Sequence, residues 1–156
     1  MGLEYLTSFV RENSWGKGQK KIKSSNTPGQ WGEILGKKIL LVDDEEIILD
    51  TYSSLLDEKG YSVVATNCGR KALEVFFSHS FDLVITDLAM PEVDGFTVIE
   101  EVKKSSPDTP VIVFTGKGYK SVKEYVSLLG AYALIEKSSS NDMFIACVKN
   151  SLKMSA

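Results

Sequence analysis

Five short apolar runs, each followed by a segment with helical spacing, constrain this chain more than any other feature of its sequence. The runs span 38–42, 61–66, 81–86, 111–115 and 131–135. They are close to continuously apolar rather than alternating, and a strand of that kind is buried on both faces. Strands buried on both faces belong to a parallel sheet with helices packed against each side.

The intervening segments supply those helices. Ile48, Tyr52, Leu55 and Leu56 share one helical face, and the segment stops at Lys59-Gly60, a normal C-terminal signal. Residues 69–78 place Ala72, Leu73, Val75 and Phe76 on an apolar side, and 95–104 do the same with Phe96, Ile99 and Val102. Val122, Tyr125, Val126 and Leu129 mark a fourth helix ending at Gly130, and 141–153 a fifth, with Phe144 or Ile145, Val148 and Leu152 inward. Five strand–helix alternations over 37–153 predict a doubly wound α/β domain around one five-stranded parallel sheet. Right-handed crossovers leave few topologies open.

Residues 1–36 read as an N-terminal extension or linker. Leu3, Leu6 and Val10, with Tyr5 and Phe9, allow a short amphipathic helix, but two turns are marginal alone. The polar, basic stretch 16–29 has linker composition, with breakers Gly16, Gly18, Pro28 and Gly29. This part carries five Lys/Arg against three acids, while 37–156 carries thirteen against eighteen. An acidic body argues against binding a nucleic-acid backbone, which needs clustered positive charge. Cys68 and Cys147 lack metal-type spacing, and the lone His79 excludes a multi-histidine site. No apolar run has the length of a membrane span and no secretory leader is visible, so a cytoplasmic location is expected.

Chemistry concentrates at the C-terminal ends of the strands. Asp43-Asp44 follow the first, Asp87 ends the third, Thr115 ends the fourth and Lys137 follows the fifth. In a parallel sheet these ends share one edge, where open α/β folds collect their ligands. Three carboxylates about one point repel each other unless a cation joins them. Mg²⁺ suits such a set, being a hard ion that takes carboxylate, carbonyl and water oxygens. Lys137 adds a point charge suited to a phosphoryl oxygen, and Thr115 a hydroxyl donor. The set describes a carboxylate nucleophile accepting a phosphoryl group while cations neutralise the developing charge. After Asp87, Pro91 fixes φ and Asp94-Gly95 offers a bend and a helix start.

With Asp43-Asp44, Asp87 within Asp87-Leu88-Ala89-Met90-Pro91-Glu92-Val93-Asp94-Gly95, Thr115-Gly116, Gly130-Ala131 and Lys137, residues 37–154 closely resemble the receiver domain of two-component response regulators. The resemblance implies the flavodoxin-like (βα)5 strand order 2-1-3-4-5. It implies that Asp87 is the phosphoacceptor and that Asp44, Asp87 and the Ala89 carbonyl bind Mg²⁺, with Asp43 helping directly or through water. Thr115 takes the switch-hydroxyl role and Lys137 the phosphoryl contact, while Gly116 keeps the approach to Asp87 open. The implied donor is a sensor histidine kinase or histidine phosphotransfer protein. The implied output is protein–protein interaction or phosphorelay, with a homodimer possible and no direct contact with nucleic acid or membrane. Because the chain stops soon after the last helix, a stand-alone receiver without a DNA-binding output domain is expected. It would not be an enzyme beyond its own phosphorylation and dephosphorylation.

Two positions depart from the family pattern. Leu134 stands where an aromatic residue usually moves with the switch hydroxyl, and the nearby Tyr132 is one strand period early. Ser138 stands where proline usually follows the lysine through a cis bond. A cis bond without proline costs about 2.5–4 kcal/mol, so Lys137–Ser138 is expected to be trans. Three other readings compete. A Mg²⁺-dependent phosphatase with Asp87 as covalent nucleophile wants a second acid where Ala89 stands. A flavodoxin-like cofactor binder wants a phosphate loop where Asp43-Asp44 stand, and a receiver that signals without phosphate would not need the complete site.

Overall fold

The structure, a computed structural model, describes residues 11–12, 36–116 and 118–154. Among them, strands β1 (Arg11–Glu12), β2 (Lys38–Val42), β3 (Ser62–Thr66), β4 (Leu83–Thr86), β5 (Val111–Thr115) and β6 (Ala133–Glu136) form one sheet in the order β1-β3-β2-β4-β5-β6. Helices α1 (Glu46–Glu58), α2 (Gly69–Ser78), α3 (Gly95–Ser105), α4 (Tyr119–Leu128) and α5 (Asn141–Met154) alternate with β2 to β6. Counted among themselves, the five parallel strands run 2-1-3-4-5, the flavodoxin-like order expected.

Alternation along the strands divides the core in two. Ile39, Leu41, Leu83, Ile85, Ile112, Phe114 and Ile135 face α1 and α5, meeting Tyr52, Leu56, Phe144, Ile145, Val148 and Leu152. Leu40, Val42, Val84, Val111 and Val113 face the other way, onto Ala72, Val75, Phe76, Val98, Ile99, Val102 and Val126 of α2, α3 and α4. Burial on both faces explains why these strands carry no polar alternation. On the α1/α5 side, Tyr52, Phe114 and Phe144 form a triad with ring centroids 4.6, 4.7 and 5.0 Å apart. The fifth helix buries both Phe144 and Ile145, where the periodicity left the choice between them open.

Several element ends differ from the sequence reading. Tyr61 precedes β3 because its N–H closes the end of α1 on the Leu56 carbonyl. Residues 81–82 precede β4, and 131–132 precede β6. In α4 Val126 is buried, and Val122 and Leu129 pack half-buried against the same core. Tyr125 is half exposed and meets Phe96 with its ring tilted, centroids 5.3 Å apart, and Leu129 serves as C-cap.

The extension contributes a strand that the sequence did not announce. Arg11 and Glu12 pair antiparallel with Ala65 and Val64, on the edge of β3 that the parallel strands leave open. An open edge presents unpaired N–H and C=O groups that any extended segment can satisfy, whatever its side chains. The short helix expected over Leu3, Leu6 and Val10 lies outside the described residues, as does most of the linker. No described helix is long and apolar enough to cross a membrane.

Candidate functional site

The topology itself creates the crevice. From β2 the chain first winds outward to β3, then crosses back to β4 on the opposite side of β2. The loops leaving β2 and β4 therefore diverge, and the gap lies at their C-terminal ends. Asp43 and Asp87 are the first residues beyond those two strands. The backbone ties the two ends together, since the Asp87 N–H donates to the Val42 carbonyl at 3.0 Å and the Asp43 N–H to the Thr66 carbonyl at 3.2 Å.

Asp43, Asp44 and Asp87 each offer a carboxylate oxygen, all within 4.8 Å of one another. Asp43 and Asp87 are buried and Asp44 is exposed. Asp43 Oδ1 accepts the Glu45 N–H at 2.9 Å, and Asp87 Oδ1 accepts the Leu88 N–H at 2.7 Å. Burial pushes the Asp43 carboxyl up to about 6, against the pull of Lys137 and the Glu45 N–H, with the Asp87 charge adding to the rise. The Ala89 carbonyl, in the exposed loop beyond, accepts no hydrogen bond from the described residues. Hard oxygen donors, net negative charge and an acid held uneasily in the buried position are what a small divalent cation would relieve.

Lys137 enters from the other side of the crevice. Its Nζ lies 2.8 Å from Asp43 Oδ2, 3.0 Å from Asp87 Oδ2 and 2.8 Å from Glu45 Oε1. The contacts to Asp87 and Glu45 are aligned hydrogen bonds, whereas Asp43 Oδ2 meets the ammonium off the hydrogen-bond direction, as an ion pair. Burial opposes the charge on Lys137, but the three carboxylates outweigh it and hold the ammonium well above the usual lysine range. Glu45 was not among the residues singled out from the sequence. Only the run Asp43-Asp44-Glu45-Glu46 hinted at it, and nothing there separates Glu45 from Glu46.

Local structure explains how the loop beyond Asp87 holds its shape. Asp94 caps α3, its Oδ1 accepting the Thr97 N–H and hydroxyl, both at 2.9 Å. Gly95 donates its N–H to the Leu88 carbonyl at 3.0 Å, and a Cβ at this position would collide with the Asp87 carbonyl oxygen and lie 2.8 Å from Leu88 Cα. Only glycine lets α3 start this close to Asp87. Glu92 has φ +65°, a left-handed conformation that a side chain disfavours.

The remaining expected residues are placed less centrally. Thr115 is buried at the end of β5, in register with Glu136, and its hydroxyl makes no hydrogen bond to Asp87 or Lys137. By strand alternation it shares the face of Val113, whereas Asp43, Asp87 and Lys137 continue the face of Leu41, Ile85 and Ile135. Gly116 is exposed, and a Cβ on it would meet only the Lys137 stem, at an ordinary 3.7 Å. Leu134 is half-buried in β6 beside Val113, and Tyr132 lies ahead of the strand, partly exposed. No peptide bond is cis among the described residues, so Lys137–Ser138 is trans as expected. Ser138 instead donates its hydroxyl to Glu136 at 3.1 Å, in the turn that leads to α5.

The profile of the response regulator receiver domain matches residues 39–149. The chain belongs to that family. Response regulator SaeR of Staphylococcus aureus (strain USA300) is 32% identical over 114 residues, which are 73% of this chain and 50% of SaeR. The chain thus spans about half the length of the curated relatives it matches. A CheY-like receiver domain protein from Methanospirillum hungatei JF-1 superposes with a TM-score of 0.74 at 27% identity, covering 77% of this chain and 96% of that one. The beryllofluoride-activated NtrC4 receiver domain dimer gives 0.72 at 33% identity, covering 76% and 98%. The receiver matches the α/β domain and its crevice, which is where the acids and Lys137 converge.

Proposed function

We propose that this receiver domain accepts a phosphoryl group on Asp87 from a phosphohistidine of a partner histidine kinase or phosphotransfer protein, and passes the signal on by protein–protein contact or phosphorelay. The observation that carries this reading is the setting of Asp87, a buried carboxylate with Asp43 and Asp44 within 4.8 Å and Lys137 at 3.0 Å.

A carboxylate oxygen of Asp87 attacks phosphorus in line with the leaving group. The new O–P bond makes an acyl phosphate, the donor's P–N bond breaks, and its electron pair returns to the imidazole nitrogen, which takes up a proton. Asp43, Asp44, Asp87 and the Ala89 carbonyl are the groups that would hold Mg²⁺. The ion would supply Lewis-acid neutralisation of charge on the phosphoryl oxygens. Lys137 exchanges its carboxylate partners for a phosphoryl oxygen, and the Thr115 hydroxyl turns toward another from the end of β5. Gly116 leaves the mouth of the crevice free of a side chain. In this reading the domain works in the cytoplasm beside its donor, and it acts as a switch rather than as an enzyme turning over an external substrate. The NtrC4 receiver is a dimer in its beryllofluoride-activated state, and sedimentation of the phosphorylated chain tests the same response here.

Incubation with acetyl phosphate and Mg²⁺ should add one phosphoryl group to the wild type and none to Asp87→Asn, read by intact mass. Equal labelling of the two would overturn the assignment, and steady turnover of phosphomonoesters would favour a phosphatase instead.

A further inference from the structure

Glu45 sits at the N-cap of α1, where an acid ordinarily turns toward the free N–H groups and the positive end of the helix. Its side chain makes no such capping bond. It reaches across the crevice instead, to Lys137 at 2.8 Å, 92 residues away in sequence. Its backbone N–H meanwhile holds Asp43. Glu45 is 57% exposed while Lys137 is 11% exposed, so the carboxylate stands at the mouth with the ammonium behind it. Asp44 and Glu45 are both exposed at this edge, so an anionic donor approaching Asp87 meets negative charge there. Of the three carboxylates on Lys137, Glu45 is the one outside the aspartate cluster, so a cation bound to that cluster would leave it as the ammonium's competing partner.

We propose that Glu45 is a positioning residue that competes with the incoming phosphoryl group for Lys137, and so restrains phosphorylation of Asp87 by small anionic donors. The inference rests on the reading of Asp87 as phosphoacceptor. With acetyl phosphate, the Asp87 oxygen bonds to phosphorus as the P–O bond to acetate breaks, and acetate leaves with the electron pair. Lys137 must leave Glu45 to meet the phosphoryl oxygens during that transfer.

The test compares phosphorylation rates of the full chain with Mg²⁺ and acetyl phosphate for the wild type, Glu45→Gln, Glu58→Gln and Asp87→Asn. Glu58, an exposed acid at the far end of the same helix, controls for net charge. At low ionic strength Glu45→Gln should react roughly three- to tenfold faster, mainly through tighter apparent donor binding, as expected for removing one partly screened charge pair. The gain should shrink toward unity in about 1 M salt, where the screening length is about 3 Å. Glu58→Gln should match the wild type. A Glu45→Gln rate equal to or below the wild type at low salt, or an equal gain in both variants, would refute the role of Glu45. If the wild type is labelled no more than Asp87→Asn, the phosphoacceptor reading fails and this inference fails with it.

Discussion

Asp43 and Lys137 form a nearly dry ion pair, 2.8 Å apart, with the Asp43 side chain 1% and the Lys137 side chain 11% exposed. The pair does not fully compensate Asp43, because burial still lifts its pKa from 3.8 to about 6. A carboxyl raised on folding stabilises the native state only while protonated. Its contribution is complete below about pH 4 and is lost as pH climbs through about 6. A shift of that size corresponds to about 2–3 kcal/mol. Without Mg²⁺, Asp43→Asn should therefore be more stable than the wild type above pH 6 and indistinguishable near pH 4. Urea denaturation across that range checks it, and a constant difference at all pH values would contradict the assignment.

The same crowding predicts a response to cations. Millimolar Mg²⁺ should raise the melting temperature of the wild type at pH 7.5, with about 2.7 kcal/mol gained at a hundredfold excess over Kd. Asp44→Ala should weaken that response while leaving the Mg²⁺-free protein close to wild-type stability, since Asp44 is exposed. Thermal melts against Mg²⁺ concentration measure both.

Lys137→Met removes the positive charge among three carboxylates. The ammonium is held above the usual lysine range, so its stabilisation is fully present at neutral pH and is lost only in strong base. Removing it should cost roughly 3 kcal/mol in chelator, the usual penalty for orphaning a buried charge. Mg²⁺ should recover most of this loss. Denaturation in chelator and in Mg²⁺ separates the two effects, and a loss that Mg²⁺ leaves untouched would point to packing by the lysine stem instead.

Two backbone sites should move stability in opposite directions. Gly95→Ala forces a methyl group onto the Asp87 carbonyl and should cost roughly 3 kcal/mol or more, or prevent folding. Glu92→Gly relieves a left-handed φ worth about 1 kcal/mol. Its ion pair with Arg70, 3.0 Å long but about two-thirds exposed on both sides, offers little against that. A net gain of a few tenths to about 1 kcal/mol is expected, measured as a shift in urea midpoint.

The alternation of apolar runs and amphipathic segments was enough to specify five parallel strands with helices on both faces, because such strands must be buried on each side. Asp43, Asp44, Asp87 and Lys137 were legible as a converging set for a related reason. Strand ends in a parallel sheet share one edge, so position along a strand already states position in space. What could not be read was anything that depends on the path of a loop. Glu45 and Glu46 are equivalent in the sequence, and only the angle at which α1 leaves β2 turns one onto Lys137 and makes the other the first residue of the helix. The pleat starts the Thr115 hydroxyl on the face of Val113, so its reach toward a phosphoryl oxygen requires a turn at the end of β5 that strand position alone does not state. The pairing of Arg11 and Glu12 with β3 had no sequence signal, since backbone groups alone satisfy an open edge. The sequence by itself determined the layers, the crevice and the chemistry at its floor. The tertiary structure decided which charges meet there, because an ion pair forms across angstroms that only the packed helices and turns set.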